Sequence, residues 1–160
     1  MRARLGELVL LLLLSACDYY ERPNRVIPRD FKAHTLAGDR VDWETFTGKP
    51  WVVVLWVPGA PIYPHQVAEL ESVRRELEGN QVSFLALSLE HDDGAVATSA
   101  RRLGLAMPVA VAEGEALGHF GLSRLPSTVL VSKDGVIVAA TNGLPRRAAL
   151  VKRVNDLLRR

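Results

Sequence analysis

Hydrophobic and polar positions alternate along this chain in segments that read cleanly as strands and helices. Trp51-Val52-Val53-Val54-Leu55-Trp56-Val57 is an unbroken apolar, β-branched and aromatic run, as expected of a central strand buried on both faces. Pro58-Gly59-Ala60-Pro61 makes a turn, after which Val67, Leu70, Val73 and Leu77 recur at helical spacing. Glu78-Gly79-Asn80 supplies the stop signal. A strand feeding a helix this tightly places the helix N-terminus at the sheet edge where α/β proteins build their sites.

Upstream, residues 31–36 and 41–43 flank Ala37-Gly38-Asp39-Arg40 and predict a hairpin. Glu44 to Phe46 forms a connecting turn, and Gly48-Lys49-Pro50 halts it before the central strand. Downstream, Val82 to Leu89 is the next strand, ending in the acidic loop Glu90-His91-Asp92-Asp93-Gly94. Ala95 to Leu103 predicts a helix stopped at Gly104, residues 107–111 a short strand, and residues 115–120 a short helix. Leu125-Pro126-Ser127-Thr128 leads into the strand Val129-Leu130-Val131, and Lys133-Asp134-Gly135 turns it into the returning strand 136–140. A last helix opens near Pro145 and carries the stripe Leu150, Val151, Val154, Leu157 and Leu158. Strands alternating with helices, closed by a hairpin and a helix, define one α/β domain with an antiparallel sheet edge. Trp43 and Trp51 are expected in its core.

The N-terminus changes the picture. Arg2 and Arg4 precede the apolar run Leu8–Leu14, which is followed by Ser15-Ala16-Cys17. This is the layout of a secretory signal peptide, and the run is too short for a spanning helix of roughly 20 residues. Leu14-Ser15-Ala16-Cys17 resembles a bacterial lipobox, whose cysteine becomes the lipidated first residue of the mature chain. The organisation expected is a signal peptide over 1–16, lipidated Cys17 and a tether over 17–28, and a folded domain over 29–160. Asp18 resembles the signal that keeps such lipoproteins at the periplasmic face of the bacterial inner membrane. A plain signal peptide with a chance cysteine is the other reading.

Charge and cysteine content narrow the function. A net charge of +2 over 160 residues gives no argument for nucleic acid. Cys17 is the single cysteine of the chain, which excludes an intramolecular disulfide, a CxxC redox pair and a cysteine zinc cage.

The ordered set Gly48-Lys49-Pro50, Trp56, Glu69-Leu70, Phe120-Gly121, Leu125-Pro126-Ser127-Thr128 and Lys133-Asp134-Gly135 resembles the thioredoxin-like superfamily. Within it, the likeness is to the membrane-anchored TlpA/ResA-type thiol-disulfide oxidoreductases, over roughly residues 29–158. The resemblance implies a thioredoxin-like fold, a central mixed sheet flanked by helices with an N-terminal hairpin. It also implies that Trp56 to Tyr63 occupies the place of a Trp-x-x-Trp-Cys-x-x-Cys segment. Ala60 and Tyr63 then replace the two redox cysteines, with Pro61 and Ile62 between them, and Gly59 replaces the second tryptophan. Alanine has no nucleophile, and a phenol of pKa about 10 cannot exchange disulfides. Thiol-disulfide exchange and peroxiredoxin chemistry are both excluded, so no catalytic residue is assigned.

Pro126 matches the family's cis-proline, which the resemblance implies presents backbone to an extended peptide. Trp56, Tyr63, Leu125 and Pro126 are therefore the candidate peptide-binding residues, with unpaired N–H groups at the following helix N-terminus. The expected partner is an extracytoplasmic protein or peptide, with the membrane engaged through the lipid anchor and no cofactor. Relatives of this type serve cytochrome maturation, sporulation or periplasmic thiol reduction. The alternatives are an enzyme with cysteine-independent chemistry at the same cleft, or zinc or copper binding by His65, His91 and Asp92 with Asp93. For those side chains a solvated loop and a helix-start histidine are the plainer reading. Ser127 and Thr128 lack the histidine and acid that would make them nucleophiles. The basic residues of the last helix, Arg146, Arg147, Lys152, Arg153, Arg159 and Arg160, form either a solvated face or one resting on anionic headgroups.

Overall fold

The computed structural model describes residues 23–77 and 81–159. The signal peptide, Cys17, Asp18, the stop signal at 78–80 and Arg160 lie outside these residues. The described chain runs β1 (Arg25–Val26), β2 (Lys32–Thr35), β3 (Arg40–Asp42), a 3-10 turn (Trp43–Phe46), β4 (Trp51–Trp56) and α1 (Pro64–Leu77). It continues through β5 (Ser83–Ser88), α2 (Asp93–Leu103), β6 (Val109–Ala112), α3 (Ala116–His119), β7 (Ser127–Val131), β8 (Val136–Asn142) and α4 (Arg147–Leu158).

The strands form one eight-stranded mixed sheet in the order β1-β8-β7-β4-β5-β6-β2-β3. β4 pairs parallel to β5 and antiparallel to β7, and β5 pairs parallel to β6. The apolar run at β4 is thus central, as its lack of alternation implies, because both of its faces are covered. Val52, Val54 and Trp56 join the core beneath α1, α2 and α4, whereas Val53 and Leu55 join the opposite core with Phe31, Phe46 and Phe120. Phe31 meets Phe46 and Phe120 edge-on at 5.8 and 5.5 Å.

Three departures from the sequence reading have local causes. Arg25 and Val26, assigned to the tether, pair with Ile137 and Val136 of β8, and Ile27 is buried. The fold therefore reaches back past residue 29; two strand residues between Asn24 and a proline carry too little pattern to register. Trp43 and Trp51 are half-buried rather than central. Each supports a cation on its ring instead, Arg29 over Trp43 at 4.3 Å and Lys49 over Trp51 at 5.1 Å. Helix α2 starts two residues before Ala95, because the Asp92 carboxylate accepts from the N–H groups of Gly94 (2.9 Å) and Ala95 (3.1 Å). It ends where read, at Gly104, whose φ of +78 makes a left-handed cap that glycine adopts freely.

One buried acid ties α1 to a distant segment. Glu71 is 3% exposed, and its Oε1 accepts from the N–H groups of Ala106 and Met107 at 2.7 Å each. Arg74 Nε donates to its Oε2 at 2.6 Å. This carboxylate pins α1 to the segment joining α2 and β6.

Candidate functional site

At the C-terminal end of β4 the chain makes a close succession of turns. Ala60 N–H donates to Val57 C=O (3.0 Å), and Ile62 N–H donates to Ala60 C=O (2.7 Å). Gly59 sits at φ +86 with open space where a Cβ would be, so backbone conformation rather than crowding calls for glycine there. Ile62 is 8% exposed and anchors the loop in the α1-side core, with Ala60 packed against the same cluster.

Tyr63 closes the loop and opens the helix. Its C=O accepts from the N–H groups of Gln66 (3.0 Å) and Val67 (3.2 Å), and its own N–H donates to Gln66 Oε1 at 3.0 Å. That is the returning half of a capping box, followed by proline at the first helical position. The helix therefore begins at Pro64, four residues beyond Ala60. Because Pro64 has no N–H and Gln66 and Val67 use theirs on Tyr63, His65 holds the one first-turn N–H without a partner among the described residues. The expected set of unpaired donors is thus reduced to one, and it does not lie at Ala60. The Tyr63 side chain is 56% exposed and stacks on the His65 ring at 5.9 Å.

The other side of the candidate site comes from the loop that enters β7. Leu55 pairs with Ser127, which brings Pro126 beside the end of β4 and Leu125 beside the 57–60 turn. The Leu125–Pro126 peptide is cis, and Pro126 C=O is fixed by Gly143 N–H at 2.7 Å. Among the described residues, no backbone hydrogen bond involves Leu125. Ser127 and Thr128 are buried, and their hydroxyls donate to the C=O groups of Arg124 (2.7 Å) and Gly143 (2.8 Å). They brace the loop.

Strand pairing thus sets Pro126 and Leu125 beside the end of β4 and the turn that leads to Tyr63, but Trp56 is not available there. That side chain is 1% exposed and belongs to the α1-side core, so it cannot touch a docked chain. Strand alternation sends it there with Val52 and Val54.

The expected metal ligands do not converge. His91 places Nδ1 at 3.0 Å from Ala112 C=O, Asp92 caps α2, and His65 lies against Tyr63. Among the described residues no three His, Cys, Asp or Glu side chains form a metal-holding group. Asp93 instead meets His34 Nε2 at 3.1 Å, and Glu113 faces Nδ1 of the same ring at 3.6 Å. Sequence reasoning missed this link because it depends on β2 pairing with β6. It missed Glu71 too, although an acid four residues after Val67, on the apolar stripe of α1, is a readable signal for a buried carboxylate.

The fold is thioredoxin-like, and sequence and structure comparison agree. The chain belongs to the AhpC/TSA family, whose profile matches residues 24–140. It is 25% identical over 119 residues to the thiol-disulfide oxidoreductase ResA of Bacillus thuringiensis, covering 74% of this chain and 65% of that protein. It is 23% identical over 115 residues to ResA of Halalkalibacterium halodurans, covering 71% and 65%. The chain thus spans about 65% of the length of these relatives. Among solved structures it resembles dsbF of MTB, with TM-score 0.69 and 22% identity, covering 82% of this chain and 98% of that one. It also resembles a secreted Mycobacterium tuberculosis disulfide oxidoreductase homologous to E. coli DsbE, with TM-score 0.66 and 25% identity, covering 79% and 96%. Among the described residues no helix is long and apolar enough to cross a membrane.

Proposed function

We propose that this protein is an extracytoplasmic, lipid-anchored thioredoxin-fold protein that holds an extended polypeptide without exchanging disulfides. The observation that carries the reading is a cis-proline loop set by strand pairing beside the end of β4, with no cysteine there or in the turn that follows. Ala60 and Tyr63 stand at the two redox positions, the one cysteine of the chain is Cys17, and Leu125 keeps backbone groups that a docking strand can pair with. Strand-like docking draws affinity from such main-chain bonds and specificity from neighbouring side chains; the exposed Tyr63 ring is the contact that selects. The relatives are named thiol-disulfide oxidoreductases, and the setting we infer is protein maturation in the envelope, of thiols or cytochromes, with an envelope protein as the client. The lipobox-like Leu14-Ser15-Ala16-Cys17 is the basis for the anchor, in which acyl burial is worth about 0.8 kcal/mol per CH₂.

A photocrosslinking residue at position 63 of the full-length chain in cells tests the binding role, with one at exposed Glu44 as control. A discrete protein adduct from position 63, diminished by Leu125→Asp, is the expected result. Identical adducts from both positions, or insulin-reducing turnover by the purified protein, would contradict it.

A further inference from the structure

An open groove of about 390 Å³ lies between α1 and the end of α2. One wall is Pro64, Ala68, Glu71 and Arg75, whose spacing makes them a single stripe along α1. The other is the last turn of α2, where Arg101 and Arg102 precede the cap at Gly104. Three guanidinium groups thus border the groove, and the acid among its lining residues does not neutralise them. Glu71 is 3% exposed, and its two oxygens are taken by the N–H groups of Ala106 and Met107 and by Arg74. Arg75 and Arg102 are exposed and make no hydrogen bond or ion pair among the described residues. Arg101 reaches Thr98 Oγ1, at 3.4 Å. Cations of α4 differ, since Arg147 is held by Glu76 and Ser72, and Lys152 by Asp156 at 2.9 Å. Helix dipoles favour cations in the last turns of α1 and α2, but a dipole asks only for charge nearby. Two helices that turn unpaired guanidiniums to one groove supply what carboxylate recognition requires, because each planar fork takes two oxygens at once.

We propose that this groove binds an acidic segment of the polypeptide client, with Arg75, Arg101 and Arg102 taking its carboxylates. The proposal rests on the binding role given above and adds the chemistry of the client. Pro64 lines the groove and directly follows Tyr63, whose exposed ring is the contact assigned to the client. From Pro64 to Arg75 the stripe runs about 16 Å, at about 1.5 Å per residue, which an extended chain covers in roughly five residues. A client lying on Tyr63 therefore reaches the arginines with a short run of Asp or Glu next to the segment that pairs with Leu125.

The test uses the purified full-length chain and a fluorescein-labelled hexaglutamate peptide, with hexaglutamine as its uncharged counterpart and anisotropy as the readout. Hexaglutamate should bind saturably and hexaglutamine should not, and affinity should fall as salt rises. Arg75→Ala and Arg102→Ala should each weaken binding by roughly fivefold. Lys152→Met on α4 and Leu125→Asp before the cis-proline should leave it unchanged. Equal weakening by Lys152→Met marks attraction to net charge alone and overturns the site. Displacement of the peptide by an equal concentration of inorganic phosphate marks a small-anion site and overturns the polypeptide assignment. The link to the client is read in cells from the photocrosslinked adduct at position 63, which Arg75→Glu combined with Arg102→Glu should diminish by roughly fivefold or more. An adduct that Leu125→Asp diminishes and the arginine changes do not overturns the acidic client while leaving the proposed function standing. Absence of any adduct at position 63 overturns both.

Discussion

Replacing Glu71 by alanine removes the acceptor of two backbone N–H groups and the partner of Arg74 Nε in one step. The N–H of Met107 is buried and that of Ala106 partly so, and water cannot reach both to compensate. An unsatisfied buried donor costs about 1–3 kcal/mol, and breaking a buried pair from one side costs about 3–5 kcal/mol. The expected loss is therefore about 3–5 kcal/mol, a large share of the roughly 5–15 kcal/mol that holds a domain of this size. Glu71→Gln separates the contributions. Its amide oxygen still accepts both N–H groups while the charge shared with Arg74 is gone, and the cost should be about 1–2 kcal/mol. Urea unfolding of the purified protein, followed by tryptophan fluorescence, measures both, with an unchanged m-value as the sign that the denatured state is not the source. Amide exchange at Met107 should quicken in the alanine variant well beyond exchange in the central strands. Equal costs for alanine and glutamine, or an alanine cost below about 1 kcal/mol, would refute the claim that the two N–H bonds, rather than packing or charge, tie α1 down.

Three further outcomes follow from the site and its surroundings. Gln66→Ala removes the acceptor of Tyr63 N–H and should cost about 0.5–1 kcal/mol, with faster amide exchange confined to the first turn of α1. In the double variant Ala60→Cys, Tyr63→Cys, the thiol at position 60 stands four residues ahead of α1, whose first turn already gives two of its N–H groups to Tyr63 C=O. It should titrate near the ordinary thiol value of about 8.5; thiolate absorbance giving a value below about 7 would show that the helix still activates this position. Lys152→Met removes the hydrogen bond and charge that lower Asp156, so by NMR titration the carboxyl should rise toward its ordinary range. A lowered carboxylate adds stability above its unfolded-state pKa and loses it as pH falls through the folded value. The contribution of this exposed pair should thus be present at neutral pH and disappear in acid.

The sequence and the structure divided the work along physical lines. The sheet and helices were legible because their cues are local: the unbroken run 51–57, the 3.6-residue stripe of α1, Gly104 ending α2, and the turn 133–135. The lack of a CxxC pair was legible in the same way, since a cysteine missing from the chain is missing from every conformation of it. Whatever depends on two distant segments meeting had to wait for the fold. Strand parity sent Trp56 into the core, pairing with β8 brought residues 25–26 into the sheet, and the turn around Gly59 delayed α1 until Pro64. The His65, His91 and Asp92 candidates shared ligand chemistry but not a place, because each is held by a different partner. Glu71 lies between these cases: its position on the apolar stripe foretold burial, but the two backbone N–H groups it meets lie 35 and 36 residues away. Sequence fixes which groups exist and their local period. Only tertiary packing decides which of them meet, because hydrogen bonds and burial act over a few ångströms of space, whatever the separation along the chain.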